Sequence, residues 1–309
     1  IKNKVFFFLN HRAQNISGHL NGIRRFNTWD LSNFYNQDSS KWKSENTGDS
    51  VYVPMSTGEY ESFMGKVSFD YRKIKFSFMR NINKGSSQSY NHVFKYNPDG
   101  RPHEETNTVL SMFQLNHLLN QKMFYVVKYS RIVNNYGYYV FKDIDSYYIA
   151  PENGVYNGLN HLAGDKVYNY IHDKYFTAYG VGFFTGGQEK GHTQRETVTA
   201  NIRTDLTWQI NNAHSIKTGF SLSNYNLNNK YHTIRNAYIG TALESDYYKP
   251  IIYPDSTVYA DVYKVKPKEF SAYIQDKFEL DEMVINIGLR YDSFDANTSY
   301  PSQRRNPTN

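Results

Sequence analysis

The sequence predicts an all-β fold: an antiparallel meander of about nine long strands, arranged as hairpins with tight turns at one end and long polar loops at the other. The first observation is strict alternation. In Met283-Val284-Ile285-Asn286-Ile287-Gly288-Leu289-Arg290-Tyr291-Asp292 every odd position is large and apolar, and Asn286, Arg290 and Asp292 take even ones. Period two means one apolar and one polar face. The second observation is the loop asymmetry, since transmembrane β-barrels have short periplasmic turns and long outer loops. The third is strand length, expected at about ten residues. That suits a tilted crossing of the hydrocarbon layer better than the five or six residues usual in soluble sheets.

The elements follow in order. A first strand runs over Lys4–Asn10, with Phe6, Phe7 and Phe8, before a polar loop of about fifty residues. The first hairpin sets Gly65, Val67, Phe69 and Tyr71 opposite in facing to Lys66, Ser68, Asp70 and Arg72. It turns around Arg72-Lys73 and returns with Ile74, Phe76 and Phe78. Asn97-Pro98-Asp99-Gly100 marks a turn inside the next loop. A second hairpin, from about Val109 to Val133, turns near Asn120-Gln121 and carries Phe113, Leu115, Leu119, Tyr125, Val127 and Tyr129 on its apolar faces. The longest loop, about sixty residues, comes next. A third hairpin presents Val198, Ala200, Ile202, Leu206, Trp208 and Ile210, turns at Asn211–His214, and returns with Ile216, Thr218, Phe220 and Leu222. The fourth, Phe270 to Tyr291, turns at Asp281-Glu282. Asp276 conflicts with the pattern, because it shares a face with Ala272, Ile274 and Phe278 where a carboxylate would meet lipid. A place near the rim, or a bulge, would relieve it.

Composition narrows the function. The chain has 309 residues, formal net charge +6 and no cysteine, with mean hydropathy −0.71. No run approaches the ~18 apolar residues of a membrane helix, which leaves a barrel open because its wall needs only every second residue apolar. The 29 Tyr and 20 Phe suit a membrane–water boundary, where ring and hydroxyl want different surroundings. Lys and Arg are scattered rather than grouped in a stripe, which argues against nucleic acid. Absence of cysteine excludes disulfides and thiolate metal sites. No GxSxG, cysteine nucleophile or close histidine pair supports an enzyme, and no cofactor is expected. Thr185–His192 superficially resembles a phosphate loop, but no Gly-Lys-Ser/Thr follows it and it reads as a flexible outer loop. The chain opens at Ile1 without an initiator Met and stops at Asn309 within a loop, so a piece of a longer protein is expected.

Several stretches add a resemblance: Phe270–Leu280, Asn286–Asp292, Tyr300–Pro307, Phe94–Pro102, Asn116–Leu119 through Tyr125, and Thr185–His192. They are similar to the barrel of TonB-dependent outer-membrane receptors, of the Bacteroidota type whose chain begins with a carboxypeptidase-regulatory-like domain. The resemblance covers nearly the whole chain. It implies that residues 1–309 are part of a 22-stranded transmembrane β-barrel with long extracellular loops, without the plug and the C-terminal strands. It further implies location in the outer membrane of a Gram-negative bacterium. The implied activity is TonB-driven import of a scarce solute: a ferric siderophore, cobalamin, an oligosaccharide or a peptide. Expected partners are outer-membrane lipids, the protein's own plug and remaining strands, the TonB complex, the solute and a lipoprotein lid. The alternatives are a soluble or surface-exposed β-sandwich binding module or adhesin, and an outer-membrane component that has lost transport. A second sheet packed over Ile285, Ile287 and Leu289 would mark the sandwich.

Alternation places Lys66, Asp70, Arg72, Arg203, Asp205, Lys217, Arg290 and Asp292 on the lumen-facing polar wall. Arg101, His103, Tyr138, Tyr139, Tyr147 and His192 are the candidate loop residues for contact with solute, as rings able to stack or as hydrogen-bonding groups. His103, His161, His172 and His192 are also candidate metal contacts, set against the plainer reading as solvated histidines.

Overall fold

The computed structural model describes residues 4–34, 37–150, 155–156, 159–160, 162–172, 182–244 and 247–299. His161 and the stretch from Tyr300 onward lie outside them. One antiparallel sheet dominates, built from β1 (Val5–Ser17), β2 (Thr57–Tyr71), β3 (Ile74–Gln88), β4 (His103–Asn120), β5 (Met123–Tyr139), β6 (Gly191–Gln209), β7 (His214–Thr233), β8 (Ala260–Val265), β9 (Lys268–Leu280) and β10 (Met283–Asp295). Neighbours in sequence are neighbours in the sheet. β8 and β9 form one line along β7: Leu227 faces Val265 and Asn224 faces Lys268 in unchanged register. The interruption is Pro267, which accepts from Tyr225 N at 3.0 Å but has no N–H to return the bond. Nine strand lines result, as the alternation predicts.

Apart from the six-residue β8, strands of 13 to 20 residues replace the expected ten. The reason is visible on the apolar face. Phe63, Ile82, Val109, Val133 and Val198 share one register row, and two residues further from the turns the row reads Glu61, Lys84, Asn107, Asn135 and Glu196. Pairing continues past this boundary because backbone hydrogen bonds do not depend on which solvent the side chains meet. The strands therefore run well into the segments predicted as loops.

The four short turns all lie at one end, but their register is staggered. The rung Tyr71–Ile74, next to the first turn, continues through His117, Tyr125, Leu206 and Thr218 to Ile274 and Leu289. Ile274 stands six positions before the end of its strand at Leu280. A climb of about one residue per strand, ~3.3 Å along for ~4.8 Å across, tilts level turns by roughly 35°. That is the tilt of a barrel wall. Arg72 takes φ 58 in the first turn, and β4 ends in a bulge at Leu119.

No second sheet covers the apolar face among the described residues: Ile287 is 69% exposed and Leu289 78%. The β-sandwich alternative fails on this observation, since two packed sheets bury their facing sides. On the polar face Ser68, Ser77, Ser223 and Ser271 are buried under their own row neighbours, as on the inner side of a curving sheet. The large buried side chains Met55, Phe94, Tyr139, Tyr170 and Ile234 lie instead at the loop end. β1 and β10 are the sheet edges, long and rich in Phe and Ile, and such edges are templates for further strands. Asp276 is neither bulged inward nor level with the turn. It stays in register on the apolar face, opposite Ile216, and its carboxylate accepts from His214 Nδ1 at 2.7 Å.

Candidate solute path and outer rim

The polar face gathers the wall residues into neighbouring rows. Ser68, Ser77, Gln114, Lys128, Arg203, Ser221, Ser271 and Asp292 share one row; Asp70, Lys75, Asp205, Gly219, Tyr273 and Arg290 share the next. Lys66 and Lys217 lie one row out on either side, opposite Met79 and Gln275. Within this field Arg203 grips Asp205 through Nε and Nη2 at 2.8 and 2.9 Å, and Arg290 grips Asp292 through Nε and Nη2, at 2.7 Å for the shorter contact. Both are i,i+2 pairs, which two-residue periodicity places side by side on one face. Arg72 is the exception: it lies at the turn, its guanidinium 5.2 Å from the Tyr71 ring centroid, outside the wall.

One residue absent from the predicted set completes this cluster. Tyr273 donates its hydroxyl to Asp205 Oδ1 at 2.8 Å and lays its ring over Gly219. A Cβ on Gly219 would meet Thr204 O at 2.5 Å and the Tyr273 ring at 2.9 Å. The ring shields backbone that lacks a side chain of its own, a device known for stabilising sheet glycines. Its sequence signal was a tyrosine opposite a glycine on a face otherwise polar, readable only once the register is known.

The rim candidates separate sharply. His103, Tyr138, Tyr139 and His192 are strand residues, not loop residues. Tyr139 is buried, donates to Glu105 Oε2 and stacks on His192, whose Nε2 lies 3.0 Å from Lys142 O. Arg101 is 2% exposed. Its guanidinium donates to Pro98 O, Met55 O and Ser89 O at 2.7 to 3.1 Å, so it ties loops together and presents nothing to a solute. Burial holds its pKa below the usual guanidinium value, the nearby Asp99 opposing that. Of the six, Tyr147 alone has an exposed ring. The expected contact of Arg101, Tyr139 and His192 with solute is therefore corrected: all three are structural in this conformation.

Arg101 belongs to an interlocked rim. Ile23 N donates to Lys95 O, Phe26 N to Tyr96 O, Gly187 N to Thr28 O and Asn97 Nδ2 to Gly187 O, joining residues 18–56, 89–102 and 182–190. Phe94 packs on Phe184 with centroids 4.6 Å apart. Gly100 is where two of these chains touch, since a Cβ there would meet Gly187 O at 2.6 Å. Arg24 adds ion pairs to Asp99 at 2.6 Å and Asp49 at 2.9 Å, and the Asp99 hydrogen bond raises its pKa. The Thr185–His192 stretch is thus packed, with Thr185, Gln188, Lys190 and His192 buried, rather than the flexible loop its polarity predicts. Lys190 donates to Ile171 O and lies over the Tyr170 ring. Burial pushes the Tyr170 hydroxyl up to about 12.

A groove of about 900 Å³ crosses the loop ends of the strands. Glu59, Glu61, Glu105 and Glu196 alternate there with Lys84, Arg195 and Lys230, so no single sign of charge dominates. Among the described residues no cluster of three His, Asp or Glu is arranged to hold a metal ion.

No sequence-family model matches the chain, and neither does any curated protein sequence. Solved structures do. The outer membrane transporter YddB from Escherichia coli superposes with a TM-score of 0.53 at 12% identity, over 94% of this chain and 31% of that one. The ferric citrate transporter FecA (TM-score 0.48, 10% identity, 78% and 30% covered) and P. aeruginosa FpvA, solved with heterologous pyoverdines (0.48, 13%, 78% and 31%), are more distant in shape. The chain thus spans about a third of YddB, and what it shares with that protein is the fold of a barrel wall.

Proposed function

We propose that this chain forms part of the wall and outer rim of a TonB-dependent importer in the outer membrane of a Gram-negative bacterium. The observation that carries the reading is the single-layer tilted sheet. One face is an apolar belt ending at a sharp charged row, and the other carries the Arg203–Asp205 and Arg290–Asp292 pairs. A membrane leaves such a face bare without cost, and an aqueous lumen accommodates the fixed charges behind it. The fold shared with the YddB barrel points the same way.

On this reading Lys66, Asp70, Arg203, Asp205, Lys217, Arg290 and Asp292 line the lumen against a plug, and Tyr147 with its neighbour Tyr148 is the rim's aromatic contact for solute. The protein moves a solute and does no chemistry on it. The plug, the remaining strands, a TonB-contacting segment and a lipoprotein lid belong to the whole receptor, of the Bacteroidota type with a carboxypeptidase-regulatory-like domain. The solute classes are ferric siderophores, cobalamin, oligosaccharides and peptides. Growth of a strain lacking the full-length gene on each class as sole iron, cofactor or carbon source tests this. A defect on one class, restored by the gene, is expected. Normal growth on all, with no solute bound to the purified receptor, would remove transport from the reading.

A further inference from the structure

A row of rings closes the loop end of the wall. His103 faces Tyr139 in register across β4 and β5, and His192 faces His232 across β6 and β7. Tyr139 joins the two pairs: His103 meets its ring edge-on, and His192 stacks on it with centroids 5.1 Å apart. The row lies on the face of the apolar belt but past the charged row of Glu196, outside the membrane-spanning part of the strands. His192 is 5% exposed and His232 9%. Directly opposed residues of antiparallel strands have Cα atoms about 4.5–5.5 Å apart, so two buried imidazoles stand side by side.

The hydrogen bonds fix how His192 is protonated. Lys142 O can only accept, so His192 Nε2, 3.0 Å away, carries the proton and donates it. A second proton would sit on Nδ1, and among the described residues no carboxylate bonds to this ring. The charged groups around it are bonded elsewhere. Lys190, two residues back on the same face, donates to Ile171 O, and Glu189 accepts from the Lys190 and Gly191 amides. Glu105 accepts from Tyr139 and lies 3.3 Å from His103 Nε2 and 4.0 Å from Lys142 Nζ. Asp143, in the segment that carries Lys142, accepts from Asp145 N. Asp255 lies 3.4 Å from His232 Nε2, so a charge on His232 has a partner and one on His192 has none. Burial holds the His192 pKa below the ordinary imidazole value; the Lys142 carbonyl works against this and His232 adds to it.

We propose that His192 and His232 form an acid-released latch on the rim: neutral, they hold the Phe141–Lys142 segment against β6, and protonation releases it. The sign follows from where the proton is tolerated. An imidazole kept neutral in the closed rim and free to titrate in the open one stabilises closure fully above pH ~6.5, and that stabilisation is lost as pH falls below it. One such group makes opening about tenfold easier at pH 5.5 than at pH 7.5. His232 sharpens the effect, because like charges directly opposite on neighbouring strands repel. Tyr139 and Lys142 also line the groove across the loop ends, so release alters the wall of that groove.

Hydrogen exchange of the full-length receptor at pH 7.5 and 5.5, corrected for the intrinsic pH dependence of exchange, tests the latch. Protection over residues 139–146 should fall about tenfold at the lower pH, measured against the belt residues 76–82 as an internal standard. In His192→Gln, whose amide can still donate to Lys142 O but does not titrate, the fall should shrink to less than about twofold. His232→Gln leaves the Lys142 bond untouched and removes the facing charge. It should show a smaller fall than wild type, and it keeps the test open if His192→Gln folds poorly. The Arg24–Asp49 tie does not contribute, because its carboxylate titrates below the ordinary range and stays ionised at pH 5.5. Unchanged wild-type protection between the two pH values, or a fall of the wild-type size in the variants, would overturn the latch.

Discussion

Asp276 carries a carboxylate on the lipid side of β9, and the tertiary structure answers it with His214 of β7 at 2.7 Å. The imidazole also stacks on Phe278, with centroids 4.5 Å apart. Replacing His214 with Ala leaves the carboxylate without that donor. Breaking a fully buried pair costs about 3–5 kcal/mol, and a fully exposed one contributes about 0–1. Here the two side chains are 38% and 37% exposed, and acids on a barrel's lipid face cost less than the ~2–4 kcal/mol of a mid-plane Arg or Lys. The coupling should therefore be about 1–2 kcal/mol. The lost stacking on Phe278 adds about 0.5–1 to the single variant and cancels in the cycle. The assay is reversible denaturant unfolding of the full-length barrel in lipid vesicles, comparing wild type, His214→Ala, Asp276→Ala and the double variant. Trp208 is a built-in reporter, because it shares the Ile216–Asp276 row. A coupling within ~0.3 kcal/mol of zero would refute the reasoning, since additivity to that margin means independent sites.

Further outcomes follow from the same geometry. Gly219→Ala should destabilise by about 1–3 kcal/mol, because its Cβ must displace Thr204 O or the Tyr273 ring; Tyr273→Phe should keep the shielding and lose only the Asp205 bond, about 1–2 kcal/mol in the same assay. Arg101→Lys cannot serve three carbonyls from one planar fork, so limited proteolysis should cut the rim near residues 89–102 while strand circular dichroism is unchanged. Pro267→Val should supply the missing rung opposite Tyr225. Hydrogen exchange would then show a protected amide at position 267, joining β8 and β9 into one strand. Acidification should loosen the Arg24–Asp49 tie within residues 18–56 of the rim: Asp49 has its pKa lowered, first by the Val51 backbone N–H and then by Arg24. Its contribution is thus present above the unfolded carboxylate pKa and lost as pH falls through the folded one. Rim proteolysis measured across that range should rise toward low pH.

Alternation alone determined a great deal. Val67, Phe69, Phe76, Phe78, Ile202 and Phe220 were readable as one face, and Arg203, Asp205, Arg290 and Asp292 as the other, because period two is a property of the extended chain and needs no partner. The turns at Arg72-Lys73 and Asp281-Glu282 were legible for the same local reason. What the tertiary structure decided was everything set by register and by loop-to-loop contact. Only pairing shows that strands continue past Glu61 and Lys84, that His214 faces Asp276, and that Tyr273 covers Gly219. The rim was hidden for a different reason. Arg101, Lys190 and His192 carry polar side chains that composition assigns to solvent, yet carbonyls more than ten residues away in sequence satisfy them. A hydrogen bond between distant loops leaves no period in a sequence, so the wall could be read from residues and the rim could not.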